Sequence, residues 1–325
     1  MLRWGVLSTA KIGRQKVIPA IQSADGCRVV AIAGRDAART REVAAELAID
    51  RVHTSYEALL ADPDVDAVYI PLPNHLHAEW TIRAAGAGKH VLCEKPMALS
   101  SAEARAMVDA CAEAGVVFME AYMYRLHPSW RAVLDIVGSG RIGELLAIQS
   151  WFSYFNDDPH NIRNVAEYGG GALMDIGCYC IDLSRMLFGS EPSSVRGSVT
   201  RDPVTGVDIV TSGMLGFAEG TATFTCSTRV EPDQRVHLYG SAGRISIEIP
   251  FNIPPDRPTQ VQVTAGGSPP VSPATEILRF EPADQYRIEA EEFAASVRDG
   301  TPVPIPPTEG IADLTVIERL LAAVG

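Results

Sequence analysis

Basic residues are scarce in this chain: 28 lysines and arginines stand against 40 aspartates and glutamates, a formal net charge of −12 over 325 residues. So acidic a surface does not track a phosphate backbone, which excludes general nucleic-acid binding. No apolar run approaches the roughly 20 residues that a bilayer core demands, so no membrane partner or span is expected. Cysteine is thin as well. The six are scattered at 27, 93, 111, 178, 180 and 226 without a C-x-x-C pair, which argues for reduced thiols rather than a disulfide framework. Met1-Leu2-Arg3 runs straight into the first strand and leaves no stretch for a signal peptide, so the expected compartment is the cytoplasm. What remains is an ordinary globular composition, 46% hydrophobic and 21% charged, sufficient for one or two full cores without staples.

Short apolar runs alternate with helical patterns through the first third. Trp4-Gly5-Val6-Leu7 reads as a buried strand, followed by Ile12, Val17, Ile18 and Ile21 at helical spacing over residues 12 to 23. Five more strands are expected around residues 28–33, 52–53, 66–70, 90–93 and 116–119. Helices fall between them, one of them capped by Ser101. Such βαβ units imply an α/β fold with a doubly wound parallel sheet, a Rossmann-like domain over residues 1–123. The pattern then changes. A helix at 128–138, strands over 144–155 and 194–249, and a helix at 172–188 predict an α+β domain over 124–325 with a large, mostly antiparallel open sheet. Residues 250–273, rich in Pro and Gly, read as an exposed loop. Helices at about 283–299 and 308–324 close the chain, the last assigned either to this domain or back to the first. Thr223, Thr225 and Ser227 give one sheet face small polar character and Phe224 and Cys226 give the other an apolar one. A homo-oligomer, dimer or tetramer, paired through the sheet is expected.

A dinucleotide would sit where the first strand meets the first helix, because backbone N–H groups and the helix dipole point there. A G-x-G-x-x-G fingerprint would place glycines at 8, 10 and 13. Only Gly13 is present, with the small residues Ser8 and Ala10 in the other places and Thr9 and Ile12 between. The second strand ends at Gly34-Arg35-Asp36. Arg35 offers a planar cation for a 2′-phosphate and favours NADP(H), with NAD(H) as the alternative; Asp36 is either a ribose ligand or a helix cap.

At the carboxyl ends of the fourth and fifth strands lie Pro71-Leu72-Pro73-Asn74-His75-Leu76-His77 and Cys93-Glu94-Lys95-Pro96, on the edge where open α/β sheets bind ligands. Pro71, Leu72, Asn74, His77, Glu94 and Lys95 are therefore candidate cofactor contacts. Two histidines alone, with no acidic or Cys partner nearby, do not make a metal site. A third segment runs Gly169-Gly170-Gly171-Ala172-Leu173-Met174-Asp175-Ile176-Gly177-Cys178-Tyr179. Asp175 and Tyr179, four apart, would share one helical face, with Asp182 continuing the stripe. A carboxylate beside a phenol can hold a substrate hydroxyl.

Taken together, Glu94-Lys95-Pro96, Pro73-Asn74-x-x-His77 and Gly170-Gly171-x-Leu173-x-Asp175-x-Gly177-x-Tyr179 resemble the glucose–fructose oxidoreductase / inositol dehydrogenase-like (Gfo/Idh/MocA) family over nearly the whole chain. The resemblance implies a catalytic Lys95, often followed by a cis bond to Pro96, and a site completed by Asp175 and the residue four later. A Tyr at that later position is the mark of the branch resembling dimeric dihydrodiol dehydrogenase and NADP-dependent xylose dehydrogenase. Tyr124-Arg125-Leu126-His127-Pro128 and Asp158-Pro159-His160-Asn161-Ile162-Arg163 are similar to that branch too.

The implied activity is an NADP(H)-dependent oxidoreductase acting on a sugar or polyol. Tyr179 would be the acid/base, Lys95 would favour its phenolate, Asp175 would orient the substrate, and Arg125, Asn161 and Arg163 would touch it. The alternatives are a keto-sugar reductase of deoxysugar biosynthesis and, from another class, a non-catalytic NADP(H)-binding sensor.

Overall fold

The computed structural model describes residues 1–266 and 274–324. The chain forms two compact units: Met1–Met123 with Gln285–Ile311, and Tyr124–Asp284 with Ala312–Gly325.

In the first unit, β1 (Leu2–Leu7), β2 (Cys27–Ala33), β3 (Arg51–His53), β4 (Ala67–Ile70), β5 (His90–Glu94) and β6 (Phe118–Ala121) form a parallel sheet ordered β3-β2-β1-β4-β5-β6. Val6, Leu7, Val68 and Tyr69 have no exposed surface, as strands covered by helices on both faces require. The helices are α1 (Ile18–Ser23), α2 (Ala37–Glu46), α3 (Tyr56–Leu60), α4 (His77–Gly86) and α5 (Ser101–Glu113). Ser100, rather than the expected Ser101, caps α5 by accepting the Glu103 N–H at 3.2 Å. The helix expected over 12–23 is broken into a π-helical turn, Gly13–Val17, and then α1. Strand order reverses between β1 and β4, which puts a topological switch point beside that turn. The closing helix Gln285–Asp299, expected in the second domain, packs in the first unit: Phe293 sits against Trp4 with ring centroids 5.1 Å apart, both rings fully buried.

In the second unit, α6 (Pro128–Gly138) precedes β7 (Leu145–Phe155), and α7 (Cys178–Phe188) follows a π-helical turn at Leu173–Gly177. The remaining strands are β8 (Ser194–Arg201), β9 (Asp208–Gly216), β10 (Thr221–Ser227), β11 (Arg229–Gly240), β12 (Gly243–Ile247), β13 (Thr259–Ala265) and β14 (Ala274–Phe280). They make an eight-stranded sheet ordered β14-β13-β12-β11-β7-β10-β9-β8, in which β7 and β10 pair in parallel and the other described pairs are antiparallel. β13 corrects the loop expected over 250–273: the polar–apolar alternation of Thr259-Gln260-Val261-Gln262-Val263 buries Val261 and Val263. The part of that loop at 267–273 lies outside the described residues. Phe224 and Cys226 are buried on the inner face and Thr223 is exposed on the outer one, as the alternation predicts, although Ser227 is buried. The closing helix Thr308–Val324 lays Leu320 over Gly197 and Gly213, where a Cβ would lie 3.3 and 3.0 Å from its side chain. All six cysteines are buried free thiols. No described helix is long and apolar enough to cross a membrane.

One side chain ties two loops of the first sheet's carboxyl edge together. His77, expected as a cofactor contact or a solvent-facing residue, has no exposed surface. Its Nδ1 lies 2.9 Å from the Pro96 carbonyl and its Nε2 2.7 Å from the Leu72 carbonyl. Two carbonyls alone would favour the doubly protonated ring. Complete burial outweighs them and pulls the imidazole down to about 4. At neutral pH the ring is therefore neutral: one nitrogen donates its single N–H to one of the two carbonyls, the other lies against the second without a hydrogen bond, and the side chain packs between the loops after β4 and β5. The unfolded chain, with an ordinary histidine near 6.5, takes up the proton first, so stability rises with pH across the window from 4 to 6.5. This side chain alone should cost about 2 kcal/mol of stability between pH 7 and pH 5. We expect His77→Gln to flatten the acid side of a urea-unfolding pH series by that amount; an unchanged slope would show that the ring does not titrate as described.

Candidate active site

The cofactor candidates of the first unit gather on one edge of one sheet. Ser8, Thr9, Ala10, Ile12 and Gly13 follow β1, Gly34 and Arg35 follow β2, Pro71, Leu72 and Asn74 follow β4, and Glu94 ends β5 with Lys95 directly after it. Ser8 holds φ 139°, a conformation that glycine adopts readily, at the place of the first fingerprint glycine. A Cβ there costs of order 1–3 kcal/mol, and the Ser8 Oγ offsets part of it by accepting the Ala10 N–H at 3.1 Å. At Gly34 a Cβ would lie 2.3 Å from Thr40 Oγ1, so a side chain is excluded where the chain passes the β1 turn. Asp36 caps α2, its Oδ1 accepting the Ala38 and Arg39 N–H groups at 2.9 and 3.0 Å. That cap leaves the exposed Arg35 as the charged group at the end of β2.

Around Lys95 the backbone is held on both sides. Glu94 accepts the hydroxyl of the fully buried Tyr69 at 2.6 Å, and Met97 donates its N–H to Glu120 at 2.8 Å. The Lys95–Pro96 peptide is cis, as the resemblance implied. Burial and the facing Glu94 charge push the Tyr69 phenol well above its ordinary range, so Tyr69 stays a donor.

In the second unit the glycine run has a physical reason. Gly171 holds φ 115°, and a Cβ there would lie 1.9 Å from Asp208 Oδ1. The other oxygen of Asp208, at the start of β9, accepts the Leu173 N–H and the Thr211 hydroxyl, each at 2.7 Å. A sheet carboxylate thus caps the π-helical turn that carries Asp175. Burial raises the Asp208 carboxyl on balance, its two donors offsetting only part of that rise.

Two elements converge on Asp175. Tyr154, near the end of β7, donates its hydroxyl to Asp175 Oδ2 at 2.5 Å, and Arg163 donates Nε to the same oxygen at 2.7 Å. Arg163 comes from a short 3-10 turn that Asn161 caps, Oδ1 accepting the Arg163 N–H at 3.1 Å. So Asn161 is brought to Arg163 as a backbone cap. Sequence reasoning missed Tyr154, whose only signal was the alternation of an ordinary strand.

Tyr179 is buried, its ring 5.3 Å from Phe251, 5.6 Å from Phe152 and 5.8 Å from Tyr124 between centroids. Asp182, the next residue of the expected stripe, shares a neighbour with Tyr179 in Tyr124. Asp182 is fully buried and accepts the Tyr124 hydroxyl and, at 2.9 Å, Arg125 Nη1. Arg125 is therefore an ion-pair partner of Asp182, fifteen percent exposed. Deeper still, Arg185 joins Asp313 at 2.7 Å and Glu191 at 2.5 Å. Burial and the neighbouring Asp182 push the Asp313 carboxyl up. Tyr124 and Tyr154 each face a carboxylate, and burial drives both phenols well above the ordinary range. Neither can serve as a base near neutrality.

Residues 2–122 match the family model described as "Oxidoreductase family, NAD-binding Rossmann fold", and residues 130–246 match the "GFO/IDH/MocA C-terminal domain". An uncharacterized oxidoreductase of Rhizobium meliloti is 46% identical over 98% of this chain and 96% of its own. A D-xylose 1-dehydrogenase (NADP(+)) of Haloferax volcanii is 38% identical over the same shares. Among solved structures, a 3-ketoreductase from Actinomadura kijaniata in complex with NADP and TDP-benzene superimposes with a TM-score of 0.92 at 28% identity, over 99% of this chain and 98% of that one. Strand order, the capped Gly170-Gly171 entry to Asp175 and Tyr179, and both family models agree: the chain belongs to the Gfo/Idh/MocA oxidoreductase family.

Proposed function

We propose that the protein is an NADP(H)-dependent dehydrogenase that oxidises a CH–OH carbon of a sugar or polyol. The observation that carries the reading is the Asp175 carboxylate. It is nine percent exposed, held by Tyr154 and Arg163, and lies four residues ahead of Tyr179. A largely buried carboxyl group fixed by two donors is suited to orienting a hydroxyl-rich substrate. The D-xylose dehydrogenase relative supports the substrate class and the cofactor.

The first unit's residues suit a dinucleotide. The turn at Ser8–Ala10 follows β1 where a pyrophosphate would lie, and the exposed Arg35 offers a guanidinium to a 2′-phosphate. When bound, the nicotinamide supplies the hydride chemistry. The chain's own part is the proton and the geometry. Tyr179 takes the proton from the reacting hydroxyl, Lys95 supplies the positive charge that favours its phenolate, and Asp175 holds a neighbouring hydroxyl. Arg163 and Asn161 border that place. The same residues run in the reductive direction would make a keto-sugar reductase, a second reading supported by the likeness to the 3-ketoreductase. A panel of aldoses, inositols, keto-sugars and diols, read by nicotinamide absorbance with NADP and with NAD, tests both readings. Absence of any turnover would return the non-catalytic sensor.

The reading extends to assembly. The outer sheet face places Arg196, Met214, Thr223, Gln149 and His237 in one cross-strand row. It bears a concavity of about 740 Å³ lined also by Trp151 and Arg235. We assign this face to a homodimer or homotetramer, with Met214 47% and Tyr239 39% exposed as the apolar surface to be covered.

The proton assignment predicts that Tyr179→Phe keeps NADP affinity and lowers kcat by roughly 10²–10⁴-fold. Lys95→Ala should do similar damage, and the double variant little more, because groups acting as one unit are not additive. Near-normal kcat in Tyr179→Phe would sink the assignment. At the other end of the cofactor, Arg35→Ala should weaken NADP by roughly 10- to 100-fold, about 1.5–3 kcal/mol, and leave NAD nearly unchanged; equal losses for both would make Arg35 structural. Light scattering at micromolar concentration should give a multiple of the 34.9 kDa chain mass, and a monomer would count against the sheet-face assembly.

A further inference from the structure

The second unit holds a phenol for which the proposed proton path has no use. Tyr154 belongs to the inward-facing series of β7, continuing Ile148, Ser150 and Phe152, whose partners on β10 are Ala222, Phe224 and Cys226. Those partners are fully or almost fully buried, so Tyr154 extends a buried row that holds the one small hydroxyl of Ser150 between Ile148 and Phe152, and ends it in a phenol. That hydroxyl reaches one specific atom, Asp175 Oδ2, at 2.5 Å. The oxygen also receives Arg163 Nε at 2.7 Å. Tyr154 is itself half-buried and borders Arg229, whose Nη1 donates to the Asn156 carbonyl and, at 3.2 Å, to Asn164 Oδ1. The phenol is thus hydrogen-bonded to a carboxylate and lies within the field of the cations Arg163 and Arg229.

This arrangement has a chemical consequence. A carboxylate with two donors on one oxygen has its rotation about Cβ–Cγ fixed, because turning it breaks two charge-assisted hydrogen bonds at once. Removing the phenol shifts more of the hold on Oδ2 to Arg163, a side chain 39% exposed and therefore less firmly placed. Facing Asp175, the phenol stays protonated and only donates. It does not exchange a proton with substrate.

We infer that Tyr154 is a positioning residue that acts through Asp175, fixing the carboxylate for one substrate hydroxyl and so governing substrate binding rather than proton transfer. The inference rests on the reading of Asp175 as the substrate-orienting group.

The test is a cycle on the full-length enzyme with Tyr154→Phe, Asp175→Asn and the double variant. The probe is the sugar of highest turnover in the panel, with NADP. Tyr154→Phe should raise KM roughly 10-fold, the usual worth of a hydrogen bond to a charged group. It should leave kcat within about threefold and NADP affinity unchanged, the latter also reporting that the variant is folded. In the Asp175→Asn background, Tyr154→Phe should change KM by less than about twofold. An unchanged KM, or a fall in kcat at constant KM, overturns the inference. So does an undiminished KM effect in the Asp175→Asn background, which would mean that Tyr154 meets the substrate directly. If instead Asp175→Asn alone leaves KM unchanged, the reading of Asp175 fails and the inference fails with it.

Discussion

A carboxylate borrowed from the sheet sets the geometry of the second unit. Asp208 sits at the start of β9 and accepts the first free N–H of the segment that leads into α7. A helix end buried without such a partner would leave donors unsatisfied in a low-dielectric interior. The acceptor must come close, and it does so only because Gly171 has no side chain and adopts a positive φ. From that fixed start the π-helical turn places Asp175 toward Tyr154 and Arg163 and delivers Tyr179 into a cage of three aromatic rings. The Gly171 conformation, the Asp208 cap and the start of the turn are one construction, with Asp175 two residues and Tyr179 six residues beyond the capped Leu173.

A second set of charges braces the same helix. Asp182 and Arg185, three residues apart on α7, are both buried, and each carries an opposite charge: Arg125 for the first, Asp313 and Glu191 for the second. Buried pairs are weak evidence for stability, since desolvation consumes much of their attraction, but losing one partner is costly at about 3–5 kcal/mol. Their effect here is geometric. Tyr124 is bound to Asp182 through its hydroxyl and leans its ring on Tyr179, Trp130 and Phe251. The orientation of the aromatic cage is therefore transmitted from an ionic network one layer behind it.

Much of this was legible in the residues alone, for identifiable reasons. Parallel strands covered on both faces read as unbroken apolar runs, and capped helices punctuate them, so all six strands of the first sheet could be placed to within two residues. Lys95, Asp175 and Tyr179 stood out because motif spacing does not depend on side-chain direction. Other features had no one-dimensional trace. The π-helical turns at 13–17 and 173–177 insert one residue per turn, too local to disturb a hydrophobic period. β13 was hidden by the Pro-rich stretch before it. Phe293 returns to Trp4 across most of the chain length, a contact that proximity in sequence cannot suggest. His77 looked like a ligand because a histidine at a helix start commonly is exposed; its two carbonyl partners come from loops that only the folded sheet brings together.

The thiols described with the fold bear on how such a protein meets its surroundings. Cys178 and Cys180 flank Tyr179 in sequence, yet neither has exposed surface, and burial pushes Cys180 and Cys111 up to about 12. A protonated, enclosed sulfur is neither a nucleophile nor a target for alkylating agents or mild peroxide. The two cysteines on either side of the phenol therefore give alkylating agents and mild peroxide no thiolate to attack, and any oxidation on that helix falls to the half-buried Met186.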